Sequence, residues 1–228
     1  MTIDVVQVRE AVDELFEARS PVDWDDAAGP LELAEAIFDK VAASPETLVS
    51  LVEALPLQDG NAESFPALDK LVLWQSPDAE VRLRLHVFFP GYADRTHNHR
   101  WSFVSRILSG GYVHSLYGAE QDVLREVGGG REPRVVYAGH VQAGSTYFLH
   151  HSLVHSLRTD EVAVSLILRG PSTKTDYFTV TPAETLWSTG AARESSEERA
   201  AKAMTTEGRE RVLRVLEELP RYQPARPR

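Results

Sequence analysis

The spacing of apolar residues changes once, near residue 65, and this change constrains the fold more than any other feature of the chain. Before it, apolar residues recur at helical intervals, which predicts three short helices over 3–18, 30–42 and 45–54. After it, apolar and polar residues alternate in short runs, as is typical of half-buried strands. The predicted strands span 68–74, 80–89, 99–107, 110–117, 121–127, 133–139, 145–149, 153–157, 161–169 and 174–181. Many short strands with close turns indicate a mainly β barrel or sandwich.

Helical spacing returns near the C-terminus. Ser195 and Glu198 form the pattern of a helix cap, and apolar residues at helical intervals predict a helix over 196–218. The chain is therefore predicted to have three parts. They are an N-terminal helical segment over 1–66 that packs on the barrel, a barrel over 67–181 that holds the functional site, and a C-terminal helical segment over 182–228.

Composition narrows the function classes. The chain has 228 residues, a net charge of −10 with neutral histidines, and no cysteine. An acidic surface repels phosphate backbones, so we expect no nucleic-acid partner. Without thiolates, a bound metal must be held by nitrogen and oxygen ligands. There is no signal-peptide pattern and no apolar run as long as a membrane span, so we expect a cytoplasmic monomer or homodimer without a membrane partner.

Five of the eight histidines lie in two short clusters within the β region. The clusters are His97 with His99, and His150 with His151 and His155. On a strand, residues two apart point to the same face, so His97 and His99 are expected to project side by side. Each cluster alone is better explained by exposed or core histidines. A barrel can bring both clusters into its interior, where imidazoles are costly to bury unless they share a ligand, so together they predict a metal site.

At these residues the sequence resembles the cupins. His97-x-His99, followed by the turn at 108–111 (LSGG), is similar to the first cupin motif, and Gly144 with the run to His155 is similar to the second. The resemblance implies a cupin double-stranded β-helix barrel with a metal inside its mouth. It also implies that His155 is the third ligand beside His97 and His99.

The carboxylate ligand of the usual cupin site is missing. Cupins usually carry a glutamate four or five residues beyond the second histidine, where this chain has Phe103 and Val104. The resemblance therefore implies a three-histidine site. Three-histidine cupins include the cysteine dioxygenase-like thiol dioxygenases, and the stretch 154–172 is similar to the segment that follows their third ligand. The resemblance extends over 67–180.

Two features depart from the thiol dioxygenases. The cysteine–tyrosine crosslink of the mammalian enzymes cannot form in a chain without cysteine. Lys70 and Leu71 stand where the family has a carboxylate-binding arginine, and an ammonium cannot make the bidentate clamp of a guanidinium. Lys70 is therefore expected to bind a substrate anion as a point charge.

Three neutral imidazoles do not neutralise the charge of a divalent ion, and they leave several of its coordination positions open. Such a site favours a small anionic substrate, a thiol or a carboxylate, with dioxygen in a remaining position. We expect Fe²⁺ in this site, with Zn²⁺, Ni²⁺ or Mn²⁺ as alternatives, and a non-haem Fe²⁺-dependent dioxygenase. Two other functions stay open: a cupin isomerase, cyclase or hydrolase that uses its metal as a Lewis acid, and a metal- or ligand-binding sensor without catalytic activity.

Further residues are predicted to serve the site. Arg84 and His86 alternate with apolar residues, which is typical of a solvated strand face over an apolar core. The functional alternative is that both line the cavity and bind an anionic substrate. The predicted substrate-binding residues are Lys70, Arg84, His86 and Trp101. The predicted supporting or catalytic residues are His151, Tyr147 and Tyr177, although core packing is the favoured interpretation for both tyrosines. His114 and His140 are interpreted as structural.

Overall fold

The computed structural model describes residues 4–57, 60–182, 184–189 and 194–220. The first elements are α1 (Val5–Glu17), α2 (Ala28–Val41) and α3 (Pro45–Glu53). Asp4 caps α1 by accepting from the backbone N–H of Val6, and Ser44 caps α3 by accepting from that of Thr47. The three predicted N-terminal helices are confirmed.

Strands dominate the rest of the described chain. They are β1 (Ala62–Phe65), β2 (Leu68–Gln75), β3 (Arg82–Phe88), β4 (Tyr92–Ala93), β5 (Phe103–Ser109), β6 (Gly111–Ala119), β7 (Tyr137–Gln142), β8 (Thr146–Leu149), β9 (Leu153–Thr159), β10 (Ala163–Arg169), β11 (Tyr177–Val180) and β12 (Thr185–Ser188). The later helices are α4 (Glu120–Gly128), α5 (Ser196–Lys202) and α6 (Thr206–Glu217). None of the described helices is long and apolar enough to cross a membrane.

The strands pair antiparallel in two main sheets, in the orders β1-β2-β3-β10-β5-β8 and β4-β9-β6-β7, and β11 and β12 form a separate hairpin. Apart from the β6–β7 hairpin, successive strands from β3 to β10 alternate between the two sheets. This is the connectivity of a jelly roll, the double-sheet architecture that the cupins share. The predicted double-stranded β-helix barrel, with helices before and after it, is confirmed.

The two faces of the larger sheet have different roles. On β3, Leu85 and Val87 are buried in a core that also contains Phe38 of α2. Arg84 and His86 occupy the alternate positions and therefore the opposite face. The N-terminal helices thus cover the outer face, and the polar residues of β3 point into the space between the sheets.

The prediction of a strand over 121–127 is wrong, because these residues lie in α4. Glu120 and Asp122 stand in its first turn, where the helix dipole favours negative charge. Val123 is fully buried and packs in one cluster with Val154 of β9. The segment 121–127 has so few apolar residues that their spacing is compatible with either a short helix or a short strand. The contact with β9 favours the helix.

The predicted single helix over 196–218 is instead two helices, α5 and α6. Between them, the backbone N–H of Met204 donates to the carbonyl of Ala62 at 3.0 Å, which attaches the chain to β1. Thr205 then caps α6 by accepting from the N–H of Gly208. The backbone at the break therefore pairs with the sheet edge instead of continuing the helix.

Two other strands differ in extent from the predictions. The strand predicted over 133–139 is β7, which begins four residues later at Tyr137, after Pro133, which has no N–H to donate to a sheet. The strand predicted over 174–181 is the shorter β11. In both cases a strand exists, but its ends are set by its partner strand.

Candidate metal centre

His97 and His99 lie before β5, on a segment that pairs with its neighbours only through single bridges. His97 and His155 exchange backbone hydrogen bonds of 2.9 and 2.8 Å, and His97 also bridges Thr179 on its other side. The prediction of a regular strand from residue 99 is therefore wrong at its start, because β5 begins at Phe103. The backbone is nevertheless extended enough that the two histidines face the same side.

Asn98 holds this segment in place from the opposite side. It is fully buried, its side-chain amide donates to Glu120 at 2.9 Å, and its side-chain oxygen accepts from the N–H of Phe178 at 2.8 Å. These bonds connect the segment to α4 and β11. With Asn98 pointing outward, the imidazoles before and after it point into the barrel.

The three predicted ligands converge. One ring nitrogen each from His97, His99 and His155 lies within 4.8 Å of the other two. The Nε2 atoms of His99 and His155 are 2.8 Å apart. Ligands at right angles around an ion, each bound at about 2.1 Å, are separated by about 3.0 Å. The spacing therefore fits a shared metal ion.

Hydrogen bonds orient two of these imidazoles for metal binding. Nδ1 of His97 donates to the carbonyl of Arg95 at 2.7 Å, and Nδ1 of His155 lies 3.0 Å from Nε2 of His114. Both contacts leave the Nε2 lone pair available for an ion. Burial lowers the pKa of His97 to about 4 and holds the pKa of His99 and His155 well below the ordinary value. Neutral imidazole is the form that binds metal.

His114, which the sequence analysis interprets as structural, supports one of the three predicted ligands. It is buried, and it contacts a predicted ligand, His155, directly. It lies three residues along β6 from Gly111, with no histidine neighbour in sequence. Its role becomes visible only when β6 pairs with β9.

A cationic wall of Lys70, Arg84 and Arg169 surrounds the imidazole of His86 on the inner face of the larger sheet. Burial holds the pKa of His86 well below its ordinary value, so this imidazole is neutral. Lys70 is the partner of His86 in the β2–β3 ladder, and Arg84 lies on β3 two residues before His86. Burial lowers the pKa of Lys70 to about 8 and that of Arg84 to about 10. Arg84 and His86 thus face the space between the sheets, while their predicted role in substrate binding stays a prediction.

The cationic wall and His86 have unused donors and make no ion pair within the described part of the chain. Nε of Arg84, Nε2 of His86 and Nε of Arg169 are buried without a hydrogen-bond partner. Across the described ranges, no carboxylate lies within salt-bridge distance of the four side chains. Glu63, opposite Lys70 on β1, and Asp94 lie farther away and partly offset the effect of burial on the pKa of Lys70. The nearby hydroxyl of Ser165, opposite His86 on β10, is also buried and unpaired.

Trp101 connects the cationic wall to the metal centre. Its ring centre lies 4.6 Å from the guanidinium carbon of Arg169 and 5.8 Å from that of Arg84. On the other side, its ring is 5.7 Å from the ring of His99. The predicted position of Trp101 in the wall of the pocket agrees with these contacts.

A group of acidic and phenolic side chains completes the interior. The hydroxyls of Tyr112 and Tyr147 are 2.9 Å apart, and the Tyr147 ring lies 5.0 Å from that of His114. Burial raises the pKa of Tyr147 to about 12. Asp94 lies 3.9 Å from Nδ1 of His97 and accepts from the N–H of Leu157, and burial raises its pKa to about 7.

Some of these residues have no clear signal in the sequence. Sequence reasoning missed Asp94, Ser165 and Arg169, considered Tyr112 only as a possible proton donor beside core packing, and treated His114 as structural. The alternation along β10 places Ser165 and Arg169 on one face, which is the only sequence signal for either. Which face it is depends on the pairing with β3 and β5.

Two predicted supporting residues lie apart from the triad. His151 stacks beside His150 and faces Asp25. Tyr177 lies on β11 opposite Ser188, and none of its described contacts involves the three histidines. Tyr147 is therefore the member of the predicted group that the structure brings into the interior.

No protein-family model matches the chain, and it matches no curated protein. Solved cupin structures resemble about half of it. An RmlC-like cupin from Shewanella frigidimarina NCIMB 400 is 17% identical over 50% of this chain and 85% of its own, with a TM-score of 0.38. The polyketide cyclase RemF from Streptomyces resistomycificus is 16% identical over 56% and 84%, with a TM-score of 0.40. A cupin-2 domain protein from Rhodospirillum rubrum is 16% identical over 54% and 70%, with a TM-score of 0.38.

These similarities carry no conclusion about activity, since every TM-score quoted is below 0.5 and every identity is low. The assignment of the fold rests on the strand order of this chain. The candidate site rests on the positions of its own side chains.

Proposed function

We propose that this protein is a three-histidine metalloenzyme that binds a small anionic molecule between its two sheets, with Fe²⁺ as its ion and a dioxygenase reaction on a thiol or carboxylate. One observation carries the proposal: three neutral imidazoles converge beside a cationic wall whose side chains make no ion pair with the carboxylates that the structure describes. The resemblance to thiol dioxygenases supports the choice of iron and oxygen.

The cationic wall supports an anionic substrate. Burying unpaired charge is costly, so Lys70 and Arg84 are expected to have an anion near them when the protein works. They project from neighbouring strands and offer an ammonium and a guanidinium to the same ligand. Hydrogen bonds between ionised donors and carboxylates are about twice as strong as neutral ones. The wall thus binds and orients the charged end of a substrate.

The remaining interior residues have separate roles. Trp101 shields the space between the cationic wall and His99 from water. Tyr147 stays protonated at neutral pH, so its hydroxyl can donate a hydrogen bond to a bound anion. His114 positions the ring of His155. A bound Fe²⁺ would supply redox chemistry toward dioxygen and open coordination positions for the substrate.

The test is oxygen consumption by the full chain. The protein is reconstituted anaerobically with Fe²⁺ and then mixed with oxygenated solutions of small thiols and carboxylates, while an oxygen electrode records uptake. We expect uptake with at least one substrate. His97→Ala, His99→Ala and His155→Ala should each lose most of the bound iron and the uptake. His140→Ala, at an exposed position on β7, is the matched control and should keep both.

Three outcomes would contradict the proposal. Turnover of a substrate without oxygen uptake would assign the site to Lewis-acid chemistry. Anion binding without turnover would favour a sensor. Full iron occupancy in His155→Ala would remove that residue from the site.

A further inference from the structure

A second group of metal-binding side chains lies outside the three-histidine site. Asp25, in the loop between α1 and α2, faces His150 and His151 in the turn between β8 and β9. Its Oδ1 atom is 3.3 Å from Nε2 of each histidine. One ligand atom from each of the three residues lies within 4.8 Å of the other two.

The spacing fits a shared ion better than two direct hydrogen bonds. A charge-assisted hydrogen bond between an imidazolium and a carboxylate is usually about 2.7–2.9 Å long. Ligands that bind Zn²⁺ tetrahedrally at about 2.0–2.1 Å are separated by about 3.3–3.4 Å. Both Nε2–Oδ1 distances, at 3.3 Å, match the second geometry.

The protein holds both sides of this group in place. Trp24, next to Asp25, is buried and packs closely on Gly170. A Cβ atom added to Gly170 would lie 2.2 Å from the Trp24 ring. The N–H of Gly170 donates to the carbonyl of Ser102 at 2.9 Å. The N–H of His151 donates to the hydroxyl of the same Ser102 at 3.1 Å. The loop and the turn are therefore fixed to one buried residue, which favours a preformed site.

The surroundings also suit a cation. Nδ1 of His150 lies 2.7 Å from the hydroxyl of Ser152 and accepts from the N–H of the same residue at 3.2 Å, which holds the ring in place with Nε2 toward Asp25. The nearest positive group, the ammonium of Lys174, bonds the carbonyl of His151 but is paired with Glu120. The Asp25 side chain is 70% exposed, so an ion can enter from solvent.

We propose that Asp25, His150 and His151 form a second metal site for Zn²⁺, with water in the fourth position. Two imidazoles and one carboxylate are a ligand set that Zn²⁺ accepts. The ion fastens the loop between α1 and α2 to the barrel. The site is separate from the proposed reaction and does not depend on it.

The test measures Zn²⁺ binding to the full chain by calorimetry and elemental analysis. In a His99→Ala background, which disables the three-histidine site, we expect one Zn²⁺ per chain. Adding Asp25→Ala should weaken this binding roughly ten- to hundred-fold, as loss of a metal ligand or its support does. Adding Asp26→Ala, which removes the neighbouring exposed carboxylate of the same loop, should leave the binding unchanged.

A second readout covers the case in which His99→Ala does not fold. In the wild-type background, Asp25→Ala should lower the Zn²⁺ stoichiometry by one, and Zn²⁺ should raise Tm less in this variant than in Asp26→Ala. Equal Zn²⁺ affinity and equal Tm shifts in the two variants would overturn the proposal. Absence of Zn²⁺ binding in the folded His99→Ala protein would overturn it as well.

Discussion

Arg84 carries a buried guanidinium whose Nε has no hydrogen-bond partner. Arg84→Met should weaken the binding of a small carboxylate or thiol acid roughly ten- to hundred-fold, because one charge-assisted hydrogen bond contributes about 1.5–3 kcal/mol. The free energy of unfolding should stay the same or rise, because methionine removes an unpaired buried charge. Calorimetric titration and urea denaturation check the two effects.

The control for this prediction is Arg125→Met. The Arg125 side chain is 70% exposed and pairs with Asp122 on α4. The Arg125→Met substitution should change neither the affinity for the anion nor the free energy of unfolding by a measurable amount. Equal loss of affinity in the two variants would mean that the general charge of the protein, and not the cationic wall, attracts the anion.

His114 is expected to act on the metal through His155. His114→Ala removes the partner of the His155 Nδ1 atom and should weaken metal binding roughly ten- to hundred-fold, as loss of such supporting contacts does. Metal titration with spectroscopic or elemental detection measures the effect. His140→Ala serves as the comparison, and unchanged affinity in His114→Ala would show that His155 is oriented by other contacts.

At the scale of elements, Asn98 joins the histidine segment to α4 and β11. Asn98→Ala would leave the buried N–H of Phe178 without its acceptor, and an unsatisfied buried group costs about 1–3 kcal/mol. It would also remove one donor to Glu120, which keeps its ion pair with Lys174. We therefore expect a lower free energy of unfolding in urea, together with weaker metal binding. If stability falls and metal affinity does not, the segment keeps its shape through its backbone bridges alone.

At the scale of the whole molecule, the outer charge and the interior charge have opposite signs. The chain carries a net charge of −10, yet Lys70, Arg84 and Arg169 lie on the inner face of its larger sheet. Burial, and then repulsion by Arg84, lower the pKa of Lys70 from 10.5 to about 8. The charged ammonium is therefore present below pH 8 and is lost as pH rises through that value.

This pKa predicts the pH dependence of anion binding. Affinity should be full below pH 8 and should decline above it, with Lys70→Arg removing the decline because a guanidinium stays protonated. Between pH 8 and 10.5 the folded chain has released a proton that the unfolded chain still holds, so rising pH favours folding in this window. Titrations at several pH values measure the affinity. A decline that persists in Lys70→Arg would assign it to another group.

The sequence by itself determined the class of fold and the centre of the site. The change in period near residue 65 predicted helices first and strands afterwards, because burying one face of either element imposes its own spacing on neighbouring residues. The same local rule placed His97 and His99 on one side, and Arg84 and His86 on one face of β3. The absence of cysteine determined that a metal would be held by imidazole and carboxylate.

Only the tertiary structure decided which of these faces meet. It placed His114 behind His155 and Arg169 beside Trp101, and it moved His151 away from the triad to Asp25. It also made a helix of the residues after Glu120. Alternation tells which residues share a side of one strand, whereas the choice of partner strand depends on burial and hydrogen bonding summed over the whole chain.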